Sequence, residues 1–294
     1  MAADTLLTIP NVSEGRDPAV IDAIRDAYLR GGGSAVQLLD VHTDPDHHRS
    51  VHTLAGPPGT LAPAVAAGAA AAIERLDVRA HPGVHPHVGA LDVAPFVHLD
   101  DARRGAACAE ALVAAQLVGE LGVPVLLYGE LASGRRRADL RRGGPAALAS
   151  RLASGELRAD FGPQRLHATA GAVLVGARAP LVAFNVELQP PATLEDARRI
   201  AALIREGGEA GLPGLRAIGL TLRARGGVAQ VSMNVEDHRA LPLATVVAAV
   251  ERYAPVSEAE LVGLAPDAAF DGFPADVPVR NRRTLSQALE VVGL

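Results

Sequence analysis

HPGVHPHVGALDVAPFVHL, residues 81–99, joins a loop with three histidines to an apolar strand. Two prolines and two glycines between His81 and Asp92 prevent a continuous helix over the loop. The segment from Gly89 to Leu99 that follows is typical of a buried strand. This strand completes the first of two sets of elements that share one order, and that shared order indicates the fold class.

The elements before that strand alternate in a recognisable order. The first strand ends at Pro10, the glycine triplet Gly31–Gly33 stops the first helix, and Thr60 is placed to cap the second helix. In chain order the predicted elements are strand 6–9, helix 17–29, strand 35–41, strand 50–54 and helix 60–76. With strand 89–99 they form the βαββαβ order of a ferredoxin-like unit.

The second half of the chain repeats this order. A helix over 101–121 and a strand over 124–128 come first, and residues 161–170 are interpreted as a loop that crosses between the halves. The repeated elements are then strand 181–188, helix 194–206, strand 215–222, strand 228–235, helix 245–253 and strand 258–262. We predict an α+β fold of two ferredoxin-like βαββαβ subdomains, residues 1–170 and 171–294, with a ligand cleft between their sheets.

Composition excludes several functional classes. The net charge of −5 and the absence of Trp argue against a nucleic-acid binder. The sequence has no lysine, which excludes P-loop lysines, Schiff-base chemistry and pyridoxal-phosphate attachment. The single cysteine, Cys108, fits a reducing compartment. The N-terminus has no signal-peptide pattern and the apolar stretch 61–73 is too short to cross a membrane, so we expect a cytoplasmic protein without a membrane partner.

Histidines concentrate in the first half of the chain, where eight of the ten lie between His42 and His98. One hypothesis is a metal site, in which imidazoles and Asp44, Asp46 or Asp92 bind a divalent ion. The spacing does not support it, because His81 and His85 cannot share a helical face. We therefore expect no metal.

The second hypothesis is acid–base chemistry by a histidine. Its reference pKa of about 6.5 allows proton exchange near neutrality. His85 is the best candidate because it stands between a rigid proline and the start of a strand. Asp92 or Asp40 would fix its tautomer and support its charged form.

Six blocks of sequence carry a family resemblance. They are IPNVSEGRD (9–17), LLDVHTDPDHHRSVHTLAGPP (38–58), HPGVHPHVGALDVAPF (81–96), VPVLLYGELA (123–132), GARAPLVAFNVEL (176–188) and GGVAQVSMNVEDH (226–238). In this order they resemble the glutamate formiminotransferase family, the folate-dependent domain of formiminotransferase-cyclodeaminase. The resemblance implies two ferredoxin-like subdomains and transfer of the formimino group of N-formimino-L-glutamate to N5 of tetrahydrofolate.

The resemblance also implies roles for individual residues. The catalytic histidine of the family falls on His85, which would act as general acid and base with tetrahydrofolate as co-substrate. We add Asp92, His42 and Asp40 as candidate catalytic residues. Candidate ligand-binding residues are Asn11, Glu14, Arg49, His87, Tyr128, Glu130, Arg178, Asn185, Gln230 and Asn234. Arg49 and Arg178 suit the substrate carboxylates, because guanidinium binds carboxylate in a two-pronged geometry.

Three positions depart from the animal members of the family. His87 replaces an arginine, His42 a carboxylate and His48 an asparagine. These changes leave the identity of the formimino donor open.

The resemblance further implies a homodimer and a separate cyclodeaminase as partners. The alternatives are a metal-dependent amidine or amide hydrolase and a non-catalytic protein that binds a folate-like ligand. The arginines between 135 and 142 are interpreted as a solvated helix face.

Overall fold

The computed structural model describes residues 5–294, which divide into two compact units. The first runs up to Ala179 and includes Leu294, and the second is Pro180–Gly293. The predicted boundary after residue 170 is therefore too early. The strand Val173–Arg178 pairs within the first sheet, which keeps these residues in the first unit.

The first unit contains a seven-stranded sheet. Its strands are β1 (Leu6–Thr8), β2 (Asn11–Val12), β3 (Gln37–Asp44), β4 (Arg49–Gly56), β5 (Leu91–His98), β6 (Val125–Gly129) and β7 (Val173–Arg178). β1 and β2 pair antiparallel with both β4 and β5, and β3 covers the outer edge of β4. This is the predicted ferredoxin-like arrangement. β7 and β6 extend it, since β7 runs parallel to β5 on one side and to β6 on the other.

Helices pack on both faces of this sheet. They are α1 (Pro18–Gly32), α2 (Leu61–Arg75), α3 (Arg104–Glu120), α4 (Arg137–Arg141) and α5 (Gly144–Ser154). Consecutive strand residues point to opposite faces, so Val173 joins the core with α1, α2 and α3 while Leu174 joins the cluster with α4 and α5. The sequence indicated a helix face over residues 135–142, where α4 lies, but it did not predict α5 or β7. No helix within residues 5–294 has the length and apolarity to cross a membrane.

The second unit is also ferredoxin-like. It comprises β8 (Val182–Leu188), α6 (Leu194–Ile204), β9 (Leu215–Leu222), β10 (Val228–Val235), α7 (Leu243–Glu251), β11 (Val256–Val262), β12 (Val279–Arg280) and α8 (Leu285–Val291). The strand order is β12-β11-β8-β10-β9. Alternate residues such as Phe184, Val186, Val231 and Met233 form its buried core with α6 and α7. The opposite face of the same strands carries polar side chains.

The N-terminus of α2 is capped by a residue distant in sequence. The hydroxyl of Thr60, the predicted cap, donates to the Pro57 carbonyl at 2.7 Å and accepts no bond from the helix. Glu110 of α3 takes that role instead, because its carboxylate accepts hydrogen bonds from the backbone N–H groups of Gly59 and Ala62. Glu110 is buried, so this contact joins two helices of the first core.

We predict that Glu110→Ala lowers the free energy of unfolding by about 2 kcal/mol, because it leaves two backbone donors unsatisfied. Urea denaturation measures the change. Glu120→Ala is the matched control, since Glu120 lies at the exposed end of α3 and accepts a hydrogen bond from the Gln116 side chain. A similar effect of the two substitutions would contradict the capping role.

Candidate active site

One face of the first sheet collects several of the predicted residues. The β3–β4 register places Asp40 opposite Thr53, His42 opposite Val51 and Asp44 opposite Arg49. Directly opposed residues share a face, so Asp40, His42 and Arg49 point to the same side. That side faces away from α1, since the neighbouring residue His52 packs its ring against Tyr28 of α1.

His85 lies against this face and is bonded to Arg49. The Nη1 of Arg49 donates to Nε2 of His85 at 2.9 Å. A guanidinium has donors only, so Nε2 is the acceptor and the proton of the neutral ring is on Nδ1. The ring of His47 lies 5.7 Å away, centroid to centroid. Burial, followed by the charges of Arg49 and Arg141, holds the pKa of His85 well below its usual value.

Arg49 keeps its charge in this setting. Burial lowers the pKa of its guanidinium to about 10, and the nearby carboxylates of Asp44 and Asp92 oppose that shift. Asp44 is itself held in place, because its Oδ1 accepts from the backbone N–H groups of Asp46 and His47, both at 2.8 Å. His85 therefore lies beside a guanidinium that is positively charged at neutral pH.

Asp92 fastens the histidine loop to α4. Its Oδ1 accepts from the backbone N–H of Val88 at 2.8 Å, and its Oδ2 is paired with the guanidinium of Arg141. Only 2% of Asp92 is exposed. The sequence predicted that Asp92 would orient His85, whereas the structure gives both carboxylate oxygens other donors.

His81 anchors the loop to the turn between β3 and β4. Its Nε2 donates to the His48 carbonyl at 2.9 Å, and its Nδ1 accepts from the Gly83 N–H at 3.3 Å. Burial lowers the pKa of His81 to about 4, so the ring is neutral near pH 7. The approach is close: a Cβ on Gly83 would lie 2.3 Å from the His47 carbonyl oxygen. His81 thus has both ring nitrogens committed to structure.

His48, His81 and His87 form a cluster of imidazoles, in which His48 stacks on His81 and His87 is tilted against it. The His48 and His81 centroids are 4.7 Å apart and nearly parallel, and His87 lies 4.2 Å from His81. The Nδ1 of His48 accepts from the Gly15 N–H and lies 3.3 Å from a carboxylate oxygen of Glu14. Nε2 of His87 is buried without a hydrogen-bond partner among residues 5–294. That nitrogen is available to a ligand.

Two further arginines, Arg137 and Arg178, lie beside the Tyr128 ring. The guanidinium of Arg137 lies 5.7 Å above the centre of the Tyr128 ring. Burial lowers the pKa of Arg178, beside Tyr128, to about 10. In the described part of the chain, the Nε–H groups of Arg49, Arg141 and Arg178 are buried without an acceptor. Buried guanidinium donors in this number suit an anionic ligand.

Three other predicted residues have hydrogen-bond partners within the protein. The side-chain amide of Asn11 donates to the Ile9 carbonyl at 2.9 Å. Glu14 accepts from the backbone N–H groups of Arg16 and Asp17, just before α1. Glu130 accepts from His98 at 3.3 Å and from Arg104 at 2.5 Å. These contacts account for the three side chains as structural groups.

The remaining predicted residues share one face of the second sheet. The register pairs Ser232 with Asn185 and Gln230 with Glu187, so Asn185, Gln230 and Asn234 point away from the apolar core. The Asn185 amide donates to Glu260 at 3.0 Å. Gln230 is fully buried, and neither its amide nitrogen nor its oxygen has a partner within residues 5–294. Its amide can therefore serve a ligand.

The sequence interpretation left the arginines between 135 and 142 as a solvated helix face or an anion site, and did not single out Arg137 and Arg141. Within the arginine run, Arg135 pairs with Asp160 and Arg136 with Asp139, as expected of a solvated surface. Arg137 and Arg141 are four residues apart on α4, so they share a helical face, which is directed to Tyr128 and Asp92. The four-residue spacing of Arg137 and Arg141 was the one sequence signal that these two side chains point to the same place.

Comparison with known proteins assigns the family. A model of the formiminotransferase domain, N-terminal subdomain, matches residues 5–178, and one of the formiminotransferase domain matches residues 183–272. The chain belongs to the formiminotransferase family. The predicted family is thereby confirmed, and the residues of the His85 site fall within the first of these two matches.

Relatives extend over most of the chain. The glutamate formimidoyltransferase of Streptococcus pyogenes serotype M1 is 38% identical over 268 residues, 88% of each chain. That of Thermoplasma acidophilum is 37% identical, covering 89% of this chain and 88% of its own. The formimidoyltransferase-cyclodeaminase of Rattus norvegicus is 38% identical over 88% of this chain and 49% of its own, so this formiminotransferase chain spans about half of that protein. Pitrilysin aligns with a TM-score of only 0.21 at 13% identity, over 86% of this chain and 34% of its own, which supports no argument.

We predict that Asp92→Asn lowers the free energy of unfolding by about 3 kcal/mol, because it leaves the largely buried Arg141 without its carboxylate. Asp22→Asn is the control: Asp22 forms an exposed pair with Arg25, so its loss should cost well under about 1 kcal/mol. Urea denaturation of both variants measures the difference. Equal effects would show that the Asp92–Arg141 pair does not stabilise the site.

Proposed function

We propose that the protein transfers the formimino group of N-formimino-L-glutamate to N5 of tetrahydrofolate, giving 5-formiminotetrahydrofolate and L-glutamate. Family membership supports this reaction, since relatives alike over most of their length are glutamate formimidoyltransferases. The single observation that carries it is the neutral imidazole of His85 set among arginines. The family favours this transferase over the metal-dependent hydrolase that the histidine cluster also suggested.

His85 supplies the proton transfers in the proposed mechanism. N5 of tetrahydrofolate attacks the amidine carbon, a C–N bond forms, and Nε2 of His85 takes the proton that N5 loses. The same nitrogen then returns the proton to the glutamate nitrogen, and the bond from that nitrogen to the carbon breaks. A low pKa keeps His85 unprotonated for the first transfer and makes its protonated form a strong acid for the second.

Arginines hold the anionic substrates in this proposal. N-formimino-L-glutamate has two carboxylates, and tetrahydrofolate has a glutamyl tail. Arg49 and Arg178, together with Arg137 and Arg141, offer guanidinium groups in this proposal. Three of the four have a buried Nε–H without an acceptor among residues 5–294. Charge-assisted pairs of this kind fix orientation as well as affinity. Holding two substrates in line contributes several kcal/mol, roughly, on effective-molarity estimates.

Gln230, Asn185 and Asn234 remain candidates for the pterin in this proposal. The unpartnered amide of Gln230 offers one donor group and one acceptor, which suits a pterin edge. The homodimer, the separate cyclodeaminase and the cytoplasmic location stay predictions from the sequence. So do the catalytic roles of Asp40 and His42.

We predict that His85→Ala lowers kcat for 5-formiminotetrahydrofolate formation by roughly 10²- to 10⁴-fold while tetrahydrofolate binding changes little, because only proton transfer is lost. Initial rates with both substrates and a folate-binding titration measure the two quantities. His167→Asn is the control: the His167 Nδ1 accepts from the Ala170 N–H, and an asparagine oxygen can imitate that contact.

Two outcomes would overturn the proposed function. Wild-type protein that forms no 5-formiminotetrahydrofolate, but hydrolyses the amidine in a chelator-sensitive way, would support the metal-dependent hydrolase. Tetrahydrofolate binding without turnover in either wild type or His85→Ala would support the non-catalytic binding protein.

A further inference from the structure

The Nε2 lone pair of His85 is already occupied. Arg49 donates to it at 2.9 Å, which leaves the ring proton on Nδ1 and no other nitrogen able to accept. The proposed function, on which this inference rests, needs the same nitrogen to take the proton of N5. The base is therefore unavailable until the Arg49 guanidinium moves off it.

The groups around His85 favour such a release by an anion. Arg137 and Arg141 on α4 add to the positive side, and the ring of His47 in the β3–β4 turn lies 5.7 Å from the His85 ring. Asp44 on β3 and Asp92 on β5 are the carboxylates that bear on Arg49. Each of these carboxylates is engaged elsewhere: Asp44 by backbone N–H groups, and Asp92 by Arg141. Arg49 is left with a neutral imidazole as its partner.

A carboxylate is a better partner for a guanidinium than a neutral imidazole, because hydrogen bonds between two charged groups are the stronger ones. The Nε–H of Arg49 is also buried without an acceptor in the described chain. An arriving carboxylate can therefore accept from two nitrogens of Arg49 where the imidazole accepts from one. The exchange breaks and forms only hydrogen bonds.

We propose that Arg49 couples recognition of the donor to catalysis: a carboxylate of the formimino donor draws the Arg49 guanidinium away and thereby frees Nε2 of His85 to act as base. Arg49 is thus a specificity-determining residue, and an amidine without a carboxylate leaves His85 blocked. After the exchange, Nε2 takes the N5 proton and passes it to the departing nitrogen as described above.

Kinetics with two donors separate this role from simple binding. A residue that only binds substrate changes KM, whereas one that releases the base changes kcat at saturation. Formamidine carries the same reacting carbon as N-formimino-L-glutamate and has no carboxylate. At saturating tetrahydrofolate we expect wild-type kcat with formamidine to be at least about tenfold lower than with N-formimino-L-glutamate.

Arg49→Ala should reverse this preference. Its kcat with N-formimino-L-glutamate falls, while its kcat with formamidine rises above the wild-type value because Nε2 is free. Loss of the adjacent cation also raises the pKa of His85, so the acidic limb of the formamidine pH–rate profile moves to higher pH. Arg49→Gln provides a second variant in which a neutral side chain fills the space, and urea denaturation shows that both variants fold. Arg75→Ala, which removes an arginine paired with Glu74 on the surface, should behave as wild type.

The results distinguish this inference from the proposed function. If wild-type protein transfers the formimino group but both Arg49 variants lose formamidine turnover as strongly as turnover of the glutamate donor, with an unshifted acidic limb, the coupling is refuted. Equal kcat for the two donors in wild type refutes it as well. If wild type transfers nothing from either donor, the proposed function itself fails.

Discussion

The hydrogen bond from Arg49 to His85 is the contact on which the rest of the site depends. It sets the tautomer of the imidazole, places a positive charge beside it, and joins the β3–β4 hairpin to the histidine loop. The other contacts of the loop hold His85 next to Arg49. His81 holds the loop to the hairpin turn, and Asp92 holds it to α4. A loop rich in proline and glycine can therefore present one side chain in a defined position.

The two ferredoxin-like sheets could be predicted because local signals and long-range pairing agree. Proline and glycine marked the ends of strands and helices, and apolar periodicity marked their buried faces. The extension of the first sheet could not be predicted in the same way. β7 lies in space between β5 and β6, although it follows both in sequence after α4 and α5. Element order alone does not reveal a strand inserted from a distance, which is why the boundary between the units was placed too early.

The site was predictable to the extent that its chemistry is local. His85 stood out from its neighbours because of the flanking prolines and glycines. The pairing of Asp92 with Arg141 and the cap of α2 were missed for one reason: Arg141 and Glu110 are each 48 or more residues from the groups that they bind. A run of arginines normally indicates a solvated surface, whereas Arg137 and Arg141 of this run turn toward the site. His81 resembled a metal ligand in sequence, but both of its nitrogens are used by the backbone.

A nitrogen NMR spectrum of the histidine side chains in the ligand-free protein tests the central claim most directly. We predict that at neutral pH the His85 ring is neutral, with its proton on Nδ1 and with an unprotonated Nε2 that accepts from Arg49. We also expect L-glutamate, which supplies carboxylates without a formimino group, to raise the pKa of that ring as Arg49 leaves it. A His85 ring that is cationic at neutral pH, or that carries its proton on Nε2, would contradict the role given to Arg49.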